Sequence, residues 1–404
     1  MKTGGGSAAA SVGAVTVGSM VANVAAYLVA IPASRSLGAV DYGVFGVVMA
    51  AMVVVAAPSM GVQAVIAREV VHGRTGLTRL AWQTALLVAL ISVVAGAVLV
   101  PLTRIPVAAA AAGLVMAPLI TLTAAAQGFL QGRGEFRRLG WVLGMVGVLR
   151  SGPMIVALLA GASATVALWV GAAGTLVAAV LTISAAHGGR DGNIPSTVST
   201  AAENVRQVLG ASQVQLALLL AVSLDLLLAR VVLSDADAGV YALGAVATKA
   251  AFWLPQAIGT VVYPRLAAPG RGRSLRIALA VVTAIGVVTV ASTWLVSPLV
   301  PRIVGDEYRP LTGNLWLFAA SGAILSVLAL LLLAVIAASR TVIGVTVWVA
   351  AALEAGAILL WAHSVTSLVL IATASATVMT TACAALVAAG SSPQASPSAA
   401  RGAR

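Results

Sequence analysis

Five ionisable side chains interrupt the long apolar stretches of this 404-residue chain: Arg150, Asp225, Arg230, Lys249 and Glu354. A charge at the centre of a bilayer-spanning helix costs roughly 2.5–3.5 kcal/mol. Five of them bare to lipid would therefore consume about as much free energy as holds a whole domain folded. They must face a protein interior, pair with one another, or extend to an aqueous interface. Arg150 lies near the middle of its stretch, too deep to extend easily. Its guanidinium offers paired donors suited to an anion; the alternative is a structural ion pair with Asp225 or Glu354. Asp225, also mid-stretch, could bind and release H⁺ or Na⁺, or stay paired with Lys249 or Arg150. Asp225 and Arg230 are five residues apart, about 140° around a helix, so they do not form a same-face pair. Arg230, near the end of its stretch, is either a cavity residue or one that extends to the interface. Lys249 either contacts an anion or neutralises Asp225, and Glu354 is equally two-sided.

The elements that position these groups follow from composition. The chain is 61% hydrophobic and 8% charged with mean hydropathy +1.07, far from the roughly 25% charge of soluble domains. A water-soluble globule is excluded. A nucleic-acid-binding chain is excluded too, despite the net charge of +12, because the positive residues sit in short clusters between apolar runs. Runs such as Val44–Val55 and Ala217–Leu224 are almost continuously apolar, whereas barrel strands alternate. The expected class is an all-α polytopic membrane protein.

Apolar runs of bilayer-crossing length are expected at 12–33, 43–66, 80–100, 107–130, 141–160, 165–187, 211–233, 239–263, 277–297, 311–337, 342–361 and 366–389. Connectors and termini on one side of these spans carry 16 Lys and Arg residues, and those on the other side carry four: Arg35, Arg104, Arg302 and Arg309. This asymmetry implies that both termini are cytoplasmic. Arginine outnumbers lysine 21 to two, the skew a high-GC bacterial genome produces. Tyr27, Pro32 and Arg35 fit a retained first helix better than a cleaved signal.

An internal repeat organises the spans. Gly43, Phe45, Pro58 and Arg68 correspond to Gly239, Tyr241, Pro255 and Arg265 at offsets of 196 or 197. The expectation is two like-oriented six-helix bundles around a central cavity, residues 1–200 and 201–389, followed by a disordered cytoplasmic tail at 390–404. Transporters commonly use such parallel repeats. Pro58 and Pro255 at matched positions are expected to kink their helices, as flexing elements or fixed bends.

Arg35-Ser-Leu-Gly-Ala-Val-Asp-Tyr-Gly-Val-Phe, after the first span, resembles the R-x-L-G-x-x-x-Y-G-x-F signature of polysaccharide biosynthesis flippases. These belong to the multidrug/oligosaccharidyl-lipid/polysaccharide (MOP) exporter superfamily. Gln127-Gly-Phe-Leu-Gln-Gly-Arg-Gly-Glu-Phe is similar to that family's connector after the fourth span. Leu224-Asp-Leu-Leu-Leu-Ala-Arg, Asp237-Ala-Gly-Val-Tyr, Leu254-Pro-Gln, Tyr263-Pro-Arg-Leu and Gly305-Asp-Glu-Tyr-Arg resemble later elements. Together they cover residues 10–340, although many relatives are longer. The resemblance implies a two-lobed, alternating-access flippase in the bacterial cytoplasmic membrane, moving a polyprenyl-pyrophosphate-linked oligosaccharide, with no covalent chemistry. On that reading Arg150, Lys249, Arg230 and Arg35 serve the substrate anion or cavity. Asp225, Glu354 and Asp41 serve ion coupling or charge pairing, and Arg35 and Asp41 could gate the outer end or form a local pair. The partners would be the lipid-linked glycan, H⁺ or Na⁺, membrane lipids and polysaccharide assembly proteins. The rival reading is an ion-coupled small-molecule or drug antiporter of the same superfamily. No cofactor is expected: His72, His187 and His363 are isolated, the single Cys383 has no metal-site partner, and Gly4–Gly6 lacks the Lys and Ser/Thr of a phosphate loop.

Overall fold

The computed structural model describes residues 5–187, 201–255, 271–336 and 343–389, and every regular element among them is helical. Helices are the open-chain solution in hydrocarbon because they satisfy each backbone N–H and C=O within one segment. The first half contains α1 (Gly5–Leu28), α2 (Ala30–Val55), α3 (Pro58–Val71), α4 (Leu77–Thr103), α5 (Val107–Gly132), α6 (Phe136–Leu159) and α7 (Ala164–His187). The second contains α8 (Ala201–Ala221), α9 (Leu224–Val232), α10 (Asp235–Trp253), α11 (Arg271–Val296), α12 (Val300–Val304), α13 (Leu315–Ile336), α14 (Ile343–Trp361) and α15 (Val365–Ala389).

Gly38 supplies the sharpest reversal. Its φ of +69° with ψ of 169° lies in a region that side chains with a Cβ avoid. Ala14 and Ala22 lie against Gly140 and Gly147 of α6, whereas Val48 lies against Gly113 near the start of α5 and Ala67 against Gly132 at its end. The chain thus climbs through α1, turns at Gly38 and descends through residues 39–71. Among the described residues, nine segments are long and apolar enough to cross a membrane; the first, Gly13–Val71, folds back at Gly38 as two crossings, and α10 and α14 bring the described bundle to twelve.

The two halves repeat one packing scheme: α5 packs on α4, α3 and α7, as α13 does on α11, α10 and α15. They differ in the first helix. α1 lies along α6 of its own half, whereas α8 crosses to α3 of the other. The largest apolar cluster joins both halves, with Val47, Met116 and Leu168 from the first and Leu226, Phe318 and Leu368 from the second.

Pro58 occupies the first turn of α3, behind an interruption at Ala56–Ala57. There its missing N–H costs no helical hydrogen bond. Pro255 stands just past the end of α10 at Trp253. Arg265, the connector at 188–200 and the tail at 390–404 lie outside the described residues. One end of the bundle gathers Thr78, Arg133 and His187; the other gathers Val40, Thr103, Arg230 and Asp235. They are called the arginine-rich and arginine-poor ends below. Trp82, Trp141, Trp169 and Trp294 are exposed near helix ends, the placement of interfacial anchors.

Candidate functional site

Asp225 opens α9 immediately after a break at Val222–Ser223 that splits one crossing into α8 and α9. Its carboxylate is buried. Tyr241 Oη donates to Oδ2 at 2.6 Å and the Leu226 N–H donates to Oδ1 at 2.7 Å. The positive end of the α9 dipole adds to the stabilisation of a negative charge there. Lys249 on α10 and Glu354 on α14 stand within charge-interaction range of Asp225. Among the described residues, however, no ion pair within 4 Å links any two of them. The direct Asp225–Lys249 pair that the sequence allowed is absent. Two carboxylates and one ammonium share the interior of the second half, one positive charge short of neutrality when all are ionised.

Arg150 stands apart from this group. It is on the stripe Leu139–Leu143–Val146–Arg150 of α6, opposite the exposed Trp141, Val148 and Leu159, so it faces inward and not lipid. It lies about 14 Å from the arginine-poor end of α6 at 1.5 Å rise per residue. Among the described residues no carboxylate lies within 4 Å of it. The ion pair with Asp225 or Glu354 is therefore not formed. Gly174 of α7 fits against the Leu149–Arg150 backbone, which fixes the register of α6 at this residue.

Arg230 does not extend to an interface. Its side chain is 3% exposed and ties three elements together. Nη2 donates to Asp235 Oδ1 at 2.7 Å, Nε to the Thr103 carbonyl at 3.2 Å and Nη1 to the Val40 carbonyl at 3.3 Å. The last two acceptors belong to the first half, so Arg230 clamps the halves together at the arginine-poor end. Alongside it, α2 and α10 cross at the repeat-related pair Gly43 and Gly239, where a Cβ on Gly239 would strike the Ala39 carbonyl. Tyr308 Oη donates to the Ser34 carbonyl at 3.3 Å, and its ring meets Tyr42 edge-on. Burial pushes the Tyr308 phenol far above its usual range, so it remains a donor at any physiological pH. Arg35 and Asp41 are exposed at this end, outside the buried groups, and among the described residues they make no ion pair.

The clamp's acceptors can be ranked. Asp235 is 60% exposed, so Asp235→Asn should cost about 1 kcal/mol or less. Arg230→Gln removes the charged donor from one buried and one partly buried carbonyl as well and should cost about 3 kcal/mol. Thermal unfolding of the purified protein checks the ranking; equal losses would show that the exposed ion pair, and not the carbonyls, carries the clamp.

At the arginine-rich end the halves meet through α3 and α8: Ser212 fits against Gly61, and Arg68 Nη2 donates to Gln207 Oε1 at 3.3 Å. Glu69, 8% exposed, holds Arg68 and Arg74 at 2.9 Å each. Among the described residues no cluster of three metal-ligating side chains occurs.

The fold is matched in solved structures. A lipid II flippase MurJ in an inward closed conformation superposes with TM-score 0.68 at 9% identity, covering 92% of this chain and 87% of that one. The fold is that of the MOP-superfamily transporters. An outward-facing multidrug resistance MATE family transporter of that superfamily gives TM-score 0.57 at 15% identity, covering 94% and 96%. A MOP superfamily transporter from Pyrococcus furiosus gives 0.60 at 14%, covering 95% and 96%. No family model and no curated protein sequence matches the chain.

Within the MOP fold, the residues that sequence reasoning passed over are the partners. Tyr241 stood out as the repeat counterpart of Phe45 and as the end of Asp237-Ala-Gly-Val-Tyr, but not as a partner; its hydroxyl is the group that holds Asp225. Val40 and Thr103 act through carbonyls, which no side-chain pattern announces.

Proposed function

We propose that the chain is an alternating-access exporter of the cytoplasmic membrane that flips a polyprenyl-pyrophosphate-linked oligosaccharide or a related cell-surface polysaccharide precursor. In this reading the arginine-rich end and both termini are cytoplasmic, and residues 1–200 and 201–389 are the two moving bodies. The observation that carries it is the separation of charge between the halves. Arg150 is an inward, acid-free guanidinium in the first half, while Asp225 and Glu354 with Lys249 occupy the second. A guanidinium without a protein anion is a receptor for an external one, and its planar donors match phosphate oxygens. A group one positive charge short of neutrality suits uptake of one H⁺ or Na⁺, which would couple flipping to the ion gradient. The clamp around Arg230 closes the outer side and must part once per cycle.

The acidic pair favours one second reading: Asp225 and Glu354 would also receive an organic cation, as a drug antiporter requires. Reconstitution separates the two. In proteoliposomes carrying a fluorescent polyprenyl-pyrophosphate oligosaccharide, the flippase reading expects label to become accessible across the membrane faster than in protein-free vesicles. Cationic-dye antiport with no lipid flipping would replace it with the second reading.

A further inference from the structure

We propose that the arginine-rich end of the first half holds an anionic glycerophospholipid in a groove between α6 and α7. The groove, about 650 Å³, is lined by Arg137, Arg138, Trp141, Val142, Ser184 and Ala185. It offers two guanidinium groups, one hydroxyl and an apolar wall, at the level where helices leave the membrane.

The arginines at this end have different neighbours, and that difference singles out the groove. Arg68 and Arg74 are both neutralised by the buried Glu69. Arg133 donates to the Ala186 carbonyl and lies over the Phe129 ring at 5.7 Å, bracing the last turn of α7 and so shaping one wall. Arg138 gives one nitrogen to Glu135 at 2.7 Å and keeps the rest of its donors. Arg137, one residue before, is exposed and has no ion pair among the described residues. A topology signal requires positive charge alone; it requires neither a groove nor two arginines and a serine lining it together.

The occupant's chemistry follows from the lining. Paired guanidinium donors fit the two free oxygens of a phosphodiester. Trp141, 77% exposed and four residues beyond Arg137, marks the headgroup level, where indole packs against the glycerol region. Val142 and Ala185 continue the wall toward the acyl chains. A soluble phosphate would use the arginines but leave the tryptophan and the apolar wall unused, so the structure favours a lipid. Basic pockets between helices on the cytoplasmic side suit anionic headgroups in general.

The experiment uses the full chain in nanodiscs of dioleoylphosphatidylcholine with one-tenth dioleoylphosphatidylglycerol, with retained lipid counted by native mass spectrometry. Each surface arginine contributes roughly a factor of five to anionic-lipid affinity, so Arg137→Gln with Arg138→Gln should weaken retention of phosphatidylglycerol by about 30-fold. Ser184→Glu, which places a negative charge in the groove without removing an arginine, should give a comparable loss. The control pair Arg79→Gln with Arg273→Gln, outside the groove, should retain the lipid, and millimolar glycerol 3-phosphate should fail to displace it. Three results would each overturn the proposal: equal loss in the control pair, which means diffuse attraction; equal retention of phosphatidylcholine; or displacement by glycerol 3-phosphate, which means a soluble organophosphate site. The proposal stands or falls independently of the transported substrate.

Discussion

Arg150→Ala should cut export of the lipid-linked glycan by about 10- to 100-fold at unchanged protein abundance. A hydrogen bond to a charged group contributes about 1.5–3 kcal/mol, and 1.36 kcal/mol is tenfold in rate, so loss of one bidentate grip reaches that range. Because no described acid contacts Arg150, the substitution strands no buried carboxylate, and the fold should tolerate it. Arg150→Lys keeps the charge but loses the planar fork, and should recover only part of the activity. Cell-surface glycan and membrane abundance, measured together, check this. Unchanged export in Arg150→Ala at equal abundance would remove the residue from the mechanism.

Asp225→Asn should abolish the response of transport to an imposed proton or sodium gradient while leaving the protein folded. The amide oxygen can still accept from the Leu226 N–H while Nδ2 donates to Tyr241 Oη, so both contacts of the carboxylate have a chemical successor. What disappears is the negative charge that receives the coupling cation. Tyr241→Phe makes the complementary test: it removes the donor, keeps the carboxylate, and should weaken coupling without eliminating it. The readout is flux in vesicles with and without the gradient. Full gradient-driven flux in Asp225→Asn would reduce Asp225 to a structural residue.

Much of the helical scaffold was legible from hydropathy, because each crossing must be apolar along its length. The runs expected at 80–100, 107–130 and 366–389 became Leu77–Thr103, Val107–Gly132 and Val365–Ala389. The repeat also pointed to a physical contact: Gly43 and Gly239, equated by spacing alone, touch each other between α2 and α10. The break at Val222–Ser223 was not legible, since neither residue is a glycine or proline and the run Ala217–Leu224 is almost continuously apolar. Nor was the role of Arg230. Its distance from the end of α9 is compatible with extending to water, and only tertiary structure reveals the Val40 and Thr103 carbonyls that hold it inside. The sequence marks five charges within the spans but could not distribute them: it allowed Arg150 to pair with Asp225, whereas the fold places the two in different halves without an ion pair.

The account depends on these charges facing an aqueous route between the halves. The direct measurement is thiol labelling of Arg150→Cys, Lys249→Cys and Glu354→Cys, each in a Cys383→Ala background free of other cysteines, with a membrane-impermeant maleimide. All three should react from the arginine-rich side, opposite the Arg230 clamp that closes the arginine-poor end, and a lipid-facing Val148→Cys control should not. Three unreactive cysteines, with the protein folded and a surface cysteine labelling normally, would contradict the polar route and the transport mechanism built on it.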